Sequence, residues 1–265
     1  LKGDGWRTAH DTVLAIVVAT AKSMGCCISK EVHSIFSTLP GINFNTHATA
    51  DERQHRTKQG CVPDAVVRCP YGGGLGEERL LELKLLRFCR SNYRLGDVDR
   101  GQAAERKAAS FEALYRRKVR TFDRKYHDRP AGMPANAKGP AELRLDAFGG
   151  VKFKIAIGQF GEFSNDTHTL VSDLASAGAE RYSEEMLCSS VDSAKGLLAY
   201  YIRSRLYFAA VREQSWLLID RLRNYIHGGN GQGFGAQPPP PRQQAPRRAR
   251  EWAAAFGGAR GARFS

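Results

Sequence analysis

Asp64, directly after Pro63, and the pair Glu82 and Lys84, two positions apart, have the types and spacing to share one reaction. In a strand, successive side chains take opposite faces, so Glu82 and Lys84 project from the same face, roughly 6–7 Å apart along the chain. Leu81, Leu83 and Leu85 take the other face, toward a core. Between the apolar runs 61–69 and 78–86 lie Gly72, Gly73, Gly74 and Gly76, residues that supply the unusual backbone angles of a hairpin turn. A hairpin brings Asp64 beside Glu82, so that two carboxylates and one ammonium meet at one end of a sheet. No Gly-Lys-Ser/Thr follows the glycines, which excludes a phosphate-cradling loop of that type.

Carboxylates are the ligands Mg²⁺ (or Mn²⁺) prefers, and the ion keeps several waters, so few protein groups are needed. Such an ion lowers the pKa of a bound water and stabilises charge building on a phosphate. A nearby lysine orients or deprotonates the attacking water. The chemistry these three residues suit is in-line hydrolysis of a phosphodiester. The competing reading makes Glu82 and Lys84 a solvated strand face and Pro63-Asp64 a plain turn.

Positioning them requires the flanking elements. A helix capped by Thr8 or Asp11 and ended by Gly25 is expected first, then a strand over 26–36 and a polar loop over 39–60. Residues 61–69 and 78–86 are the next two strands. Ala104, Ala108, Phe111, Tyr115, Phe122 and Tyr126 recur at three- and four-residue steps and mark a helix over 100–126. Pro130, Pro134 and Pro140 mark a loop, and Val151, Phe153, Ile155 and Ile157 alternate with Lys152 and Lys154 as a half-buried strand. Helices over 166–180 and 191–226 complete the folded part, the second with a break near Glu213 to Ser215.

With its Pro63-Asp64, apolar strand and Glu82-x-Lys84, the chain resembles the PD-(D/E)XK nuclease superfamily, also called restriction-endonuclease-like. The resemblance implies an α/β fold with an α-β-β-β-α-β core over about 8–158, extended by helices over about 164–227. It implies that Asp64, Glu82 and the Leu83 carbonyl bind the metal and that Lys84 is the catalytic lysine. A further acid from the first helix or strand would be Glu31, with Asp11 the weaker choice. Gln102 and Arg106 are the nearest residues for a Gln or Arg that some members add from the following helix.

Charge agrees with a polyanionic partner. Lys and Arg number 40 against 27 Asp and Glu, a formal net charge of +13. Residues 100–126 carry nine Lys or Arg against three acids. Arg106, Lys107, Arg116, Arg117 and Lys118 are the expected phosphate contacts where that helix flanks the cleft, and a solvated face otherwise. From Gly228 to Ser265 the chain is rich in Gly, Pro and Arg, with six Arg and one Glu, and is expected to be a disordered tail that adds non-specific affinity for nucleic acid. DNA is placed ahead of RNA.

Other classes fall away. The longest apolar stretch, Val13 to Ala21, is far short of the roughly 20 residues a membrane span needs. Neither a lipidation motif nor a surface-anchoring amphipathic helix is legible. Six cysteines without a C-x-x-C pair read as reduced thiols and an intracellular protein, and a zinc site from Cys61, Cys69 and Cys89 has no recognised spacing. The first residue is Leu, which leaves open a leader or a longer parent chain. His10-Asp11 reads as a capping pair ahead of a role in the site. Besides a nuclease, the two functions carried forward are an inactive nucleic-acid-binding module and a structural or interaction domain of a larger protein.

Overall fold

The computed structural model describes residues 4–42, 61–69, 76–86, 92–93, 101–129, 131–134 and 136–228. The glycine turn at 71–75, most of the polar loop, Cys89 and the Gly/Pro/Arg-rich tail beyond Gly228 lie outside them. The chain divides into Leu1–Asp220 and Arg221–Ser265, the second described only through the last residues of a helix.

The class is mixed α/β. Helix α1 (Asp4–Ser23) leads to β1 (Cys27–Lys30) and the single turn α2 (Ser34–Ser37). Strands β2 (Ala65–Arg68) and β3 (Arg79–Leu85) follow, then α3 (Gly101–Tyr126), α4 (Pro140–Ala147) and β4 (Phe153–Ile157). Two helices end the described chain, α5 (Asn165–Glu185) and α6 (Val191–Gly228). The four strands form one sheet in sequence order; β1–β2 and β2–β3 are antiparallel and β3–β4 parallel, as a crossover through a helix requires.

Alternation sorts the strand residues between two cores. Leu81, Leu83, Phe153, Ile155 and Ile157 are buried with Val13, Leu14 and Val17 of α1, Leu170 and Leu174 of α5, and Ile202 and Leu206 of α6. Opposite them, Leu80 packs with Tyr115, Val119 and Phe122 of α3 and Leu145 of α4. Cys69 belongs to the first core, where Cys26 Sγ lies 3.3 Å from its sulfur, and Cys61 to the second, so these two thiols do not join in one zinc site.

Several expectations are corrected. Helix α1 starts at Asp4, so Thr8 and Asp11 lie inside it rather than capping it, while Gly25 does end it at φ +82°. The first strand stops at Lys30: Glu31 turns left-handed at φ +48°, and its N–H donates to the Asp64 carbonyl at 3.1 Å. The stretch holding Pro130, Pro134 and Pro140 contains α4, whose first amides are capped from a distance, Asp123 on α3 accepting from the N–H groups of Ala141 and Glu142 at 3.0 and 2.9 Å. Helix α6 runs unbroken through 213–215 because its polar residues are anchored: Gln214 Nε2 donates to the Gly158 carbonyl at 3.1 Å, and Glu213 pairs with Arg212.

Candidate functional site

Strand register builds the site. Ala65 pairs with Leu81, so Asp64 lies beside Glu82 at the point where β2 begins. Asp64 Oδ2 accepts the Leu83 N–H at 2.7 Å, a bond that ties the carboxylate to the middle of β3. Glu82 and Lys84 share the α3 side of the sheet, with Lys84 Nζ 3.4 Å from Glu82 Oε2 and 5.6 Å from the centre of the Phe111 ring. Glu82 is 7% exposed, whereas the Lys84 side chain keeps 43% of its surface open. The hidden acid and the open amine therefore stand together.

His10 is the member that sequence reasoning placed elsewhere. From inside α1 its Nε2 lies 3.1 Å from Asp64 Oδ2 and 3.1 Å from the Leu83 carbonyl oxygen, and its Nδ1 is 3.1 Å from Asp11 Oδ1. Every one of these neighbours is an acceptor, so both ring nitrogens are best served carrying protons. Burial is the largest influence on His10 and pushes its pKa down, but the hydrogen bonds to Asp64 and Asp11 and the Asp64 charge together raise it. The sequence offers His10-Asp11 a place lining the site from the first helix, ranked behind the capping role that the structure does not bear out.

Electrostatics separates the two acids. For Asp64 the largest influence, burial, raises the pKa, yet the His10 bond, the Lys84 and His10 charges and the Leu83 amide bring it below the ordinary value. Glu82 moves the other way: burial and then the Asp64 charge push it up to about 7 against the pull of Lys84 and Lys118. Among the described residues its buried Oε1 has no hydrogen-bond partner, and neither has the Tyr115 hydroxyl of α3. Burial, followed by the Glu82 charge, raises the Tyr115 phenol, and burial first of all pushes the Cys61 thiol up to about 12.

The other expected residues are scattered. Glu31 meets Asp64 through its backbone, and its side chain is exposed. Arg116 is held by Glu112 at 2.7 Å and Asp146 at 2.6 Å, which leaves little of its fork for phosphate. Arg106 donates to the Asn92 carbonyl. Lys107 is half-buried, and Gln102 and Arg117 are exposed. Lys118 is the member of that basic set whose charge reaches Glu82.

Among the described residues, no three His, Cys, Asp or Glu side chains are gathered closely enough to hold a metal ion as they stand. The donors are nevertheless of the right kind for a hard cation. Asp64 Oδ2 and the Leu83 carbonyl oxygen converge on His10 Nε2, and Glu82 Oε1 has no partner among the described residues. Set beside known proteins, the chain matches no known family, no curated protein and no solved structure. No helix of the described residues is long and apolar enough to cross a membrane.

Proposed function

We propose that the protein is a metal-dependent endonuclease that hydrolyses phosphodiester bonds in nucleic acid, DNA ahead of RNA. The observation that carries this reading is Glu82, a buried carboxylate with an unpartnered oxygen beside Asp64, Lys84 and Lys118. Lys84 compensates only the Oε2 side of that carboxylate, and burying the remaining oxygen unpaired costs free energy that fold stability alone gives no reason to bear. The order of elements from α1 to β4, with α2 and α4 added, supports the restriction-endonuclease-like core.

Asp64, Glu82 and the Leu83 carbonyl would hold Mg²⁺ or Mn²⁺, and the His10 ring that now lies against Asp64 and the Leu83 oxygen would give way to it. The ion would supply Lewis-acid activation of water and charge stabilisation at the phosphate. The chain's own groups do the rest. The Leu83 amide fixes the Asp64 carboxylate in one orientation. Lys84, ionically tied to Glu82 yet open to solvent, holds the attacking water or a phosphate oxygen. Lys118 adds positive charge on the side of Glu82 facing α3.

The test is cleavage of supercoiled plasmid and of circular single-stranded DNA by the purified chain with Mg²⁺, Mn²⁺ or EDTA. Metal-dependent nicking that disappears in Lys84→Ala supports the reading. Binding without cleavage under every metal condition leaves an inactive binding module, and the absence of salt-dependent binding leaves an interaction domain.

A further inference from the structure

Helix α6 has two apolar sides, and the fold uses one. Ala194, Leu198, Ile202, Leu206 and Ala210 are buried in the core. On the opposite side Tyr200, Tyr201, Tyr207 and Phe208 are 72, 40, 37 and 66% exposed. A seven-residue step is nearly two helical turns, so Tyr200 stands above Tyr207 and Tyr201 above Phe208, about 10 Å apart along the axis. The Tyr207 and Phe208 rings meet edge to face with centres 5.3 Å apart.

Charge around these rings has one sign. From Ser193 to Arg212 the chain contains Lys195, Arg203, Arg205 and Arg212 and no Asp or Glu, with Arg212 paired to the next residue, Glu213, at 3.1 Å. Arg205 donates to the Tyr201 hydroxyl at 3.4 Å, and Arg203 has no ion-pair partner among the described residues. One edge of the surface reaches the loop that follows β4. Tyr207 rests on Gly161, where any Cβ would run into its ring. Gly161 follows β4, and β4 runs parallel to β3 with Ala156 paired to Lys84. Phe160, 42% exposed, continues the aromatic surface on that loop, and the acid there, Glu162, is engaged by the Tyr93 hydroxyl and the Phe160 amide.

A second copy of this chain fits the surface poorly, because its arginines would meet arginines. A protein partner matched by apolar area alone would leave the guanidinium groups uncompensated. Exposed rings flanked by Arg203 and Arg205, with the neighbouring acids Glu162 and Glu213 already engaged, complement a strand whose base faces are open and whose backbone is anionic. A duplex hides those faces. We propose that the Tyr200–Phe208 face of α6 binds an unpaired nucleic-acid strand, an assignment that stands apart from the nuclease reading.

Fluorescence anisotropy tests it, using the full chain in EDTA, a labelled mixed-sequence 20-nucleotide DNA strand, its RNA counterpart and the matching DNA duplex. Single strands are expected to bind more tightly than the duplex. Tyr200→Ala combined with Phe208→Ala is expected to weaken single-strand binding by about tenfold or more, and Phe208→Trp to retain it because indole also stacks. Arg203→Ala is expected to weaken binding and flatten its salt dependence. The substituted side chains are solvent-facing, and circular dichroism checks that the fold is kept. Unchanged binding in the double aromatic variant overturns the proposal, even where metal-dependent cleavage is seen. Binding that depends on these rings without cleavage sinks the nuclease reading and leaves the surface assignment. A dimer by light scattering that the double variant converts to a monomer shows a protein interface and overturns it.

Discussion

Leu81 and Leu83 on one side of β3 are fully buried among aliphatic residues of α1, α5 and α6; Glu82 between them is nearly as hidden, but beside Asp64, Tyr115 and Cys61. The same backbone carries both. The leucine side needs only shape and apolar area, so its cost of disturbance is a packing cost. The acidic side holds a carboxylate oxygen and a phenol without partners, a cost already present in the folded state. Substitution on one side should therefore remove stability, and on the other remove chemistry while adding stability.

The largest effect is expected at Lys84 and Asp64. Lys84→Ala and Asp64→Asn should each lower the metal-dependent cleavage rate by about 10³-fold, within the usual range for a lost acid–base or positioning group, measured by plasmid nicking at saturating Mn²⁺. A variant that keeps more than a tenth of the rate would show that these residues do not carry the cleavage. On the other side of the strand, Leu83→Ala should cost about 2–5 kcal/mol in urea unfolding with the register of Asp64 and Glu82 still specified by the hairpin.

Glu82→Gln should separate the two costs within one residue. The buried carboxyl titrates at about 7, above its ordinary 4.5. The folded chain thus binds a proton that the unfolded chain has lost, and stability falls as pH rises between those values, by on the order of 3 kcal/mol. Glutamine carries no charge to desolvate, so the variant should match the parent near pH 4.5 and melt several degrees higher at pH 8, while losing cleavage. Equal melting temperatures at pH 8 would show that Glu82 is not desolvated. The smallest effect belongs to His10. Its raised pKa means a stabilising charge that is fully present below about pH 6.5 and lost as pH rises through the higher folded value. His10→Ala should cost about 1 kcal/mol at pH 6 and less at pH 9, read from paired urea titrations.

Much of the site was legible because it is local. Glu82 and Lys84 share a face by strand alternation, and pairing of adjacent strands puts Asp64 within reach of them, although its place beside Glu82 is set by the register. Helix α3 and strand β4 were also legible, since each buries one side of a regular repeat. Helix α4 was hidden because its cap is not in its own sequence: Gly139 offers no side chain, and Asp123 supplies the oxygen from α3. The first strand was read too long because β-branched residues continue past Lys30 while the turn at Glu31 is held by the Asp64 carbonyl.

The sequence alone determined which residue types stand on which side of each strand, the basic balance of the chain and the pairing of two acids with one amine, because alternation and composition are properties of neighbours along the chain. Only the tertiary structure decided that His10 bridges Asp64 and Leu83, that Arg116 is occupied by Glu112 and Asp146, and that Glu82 is desolvated. Burial and charge pairing act through space between segments tens of residues apart, and no local pattern records the distance at which those segments meet.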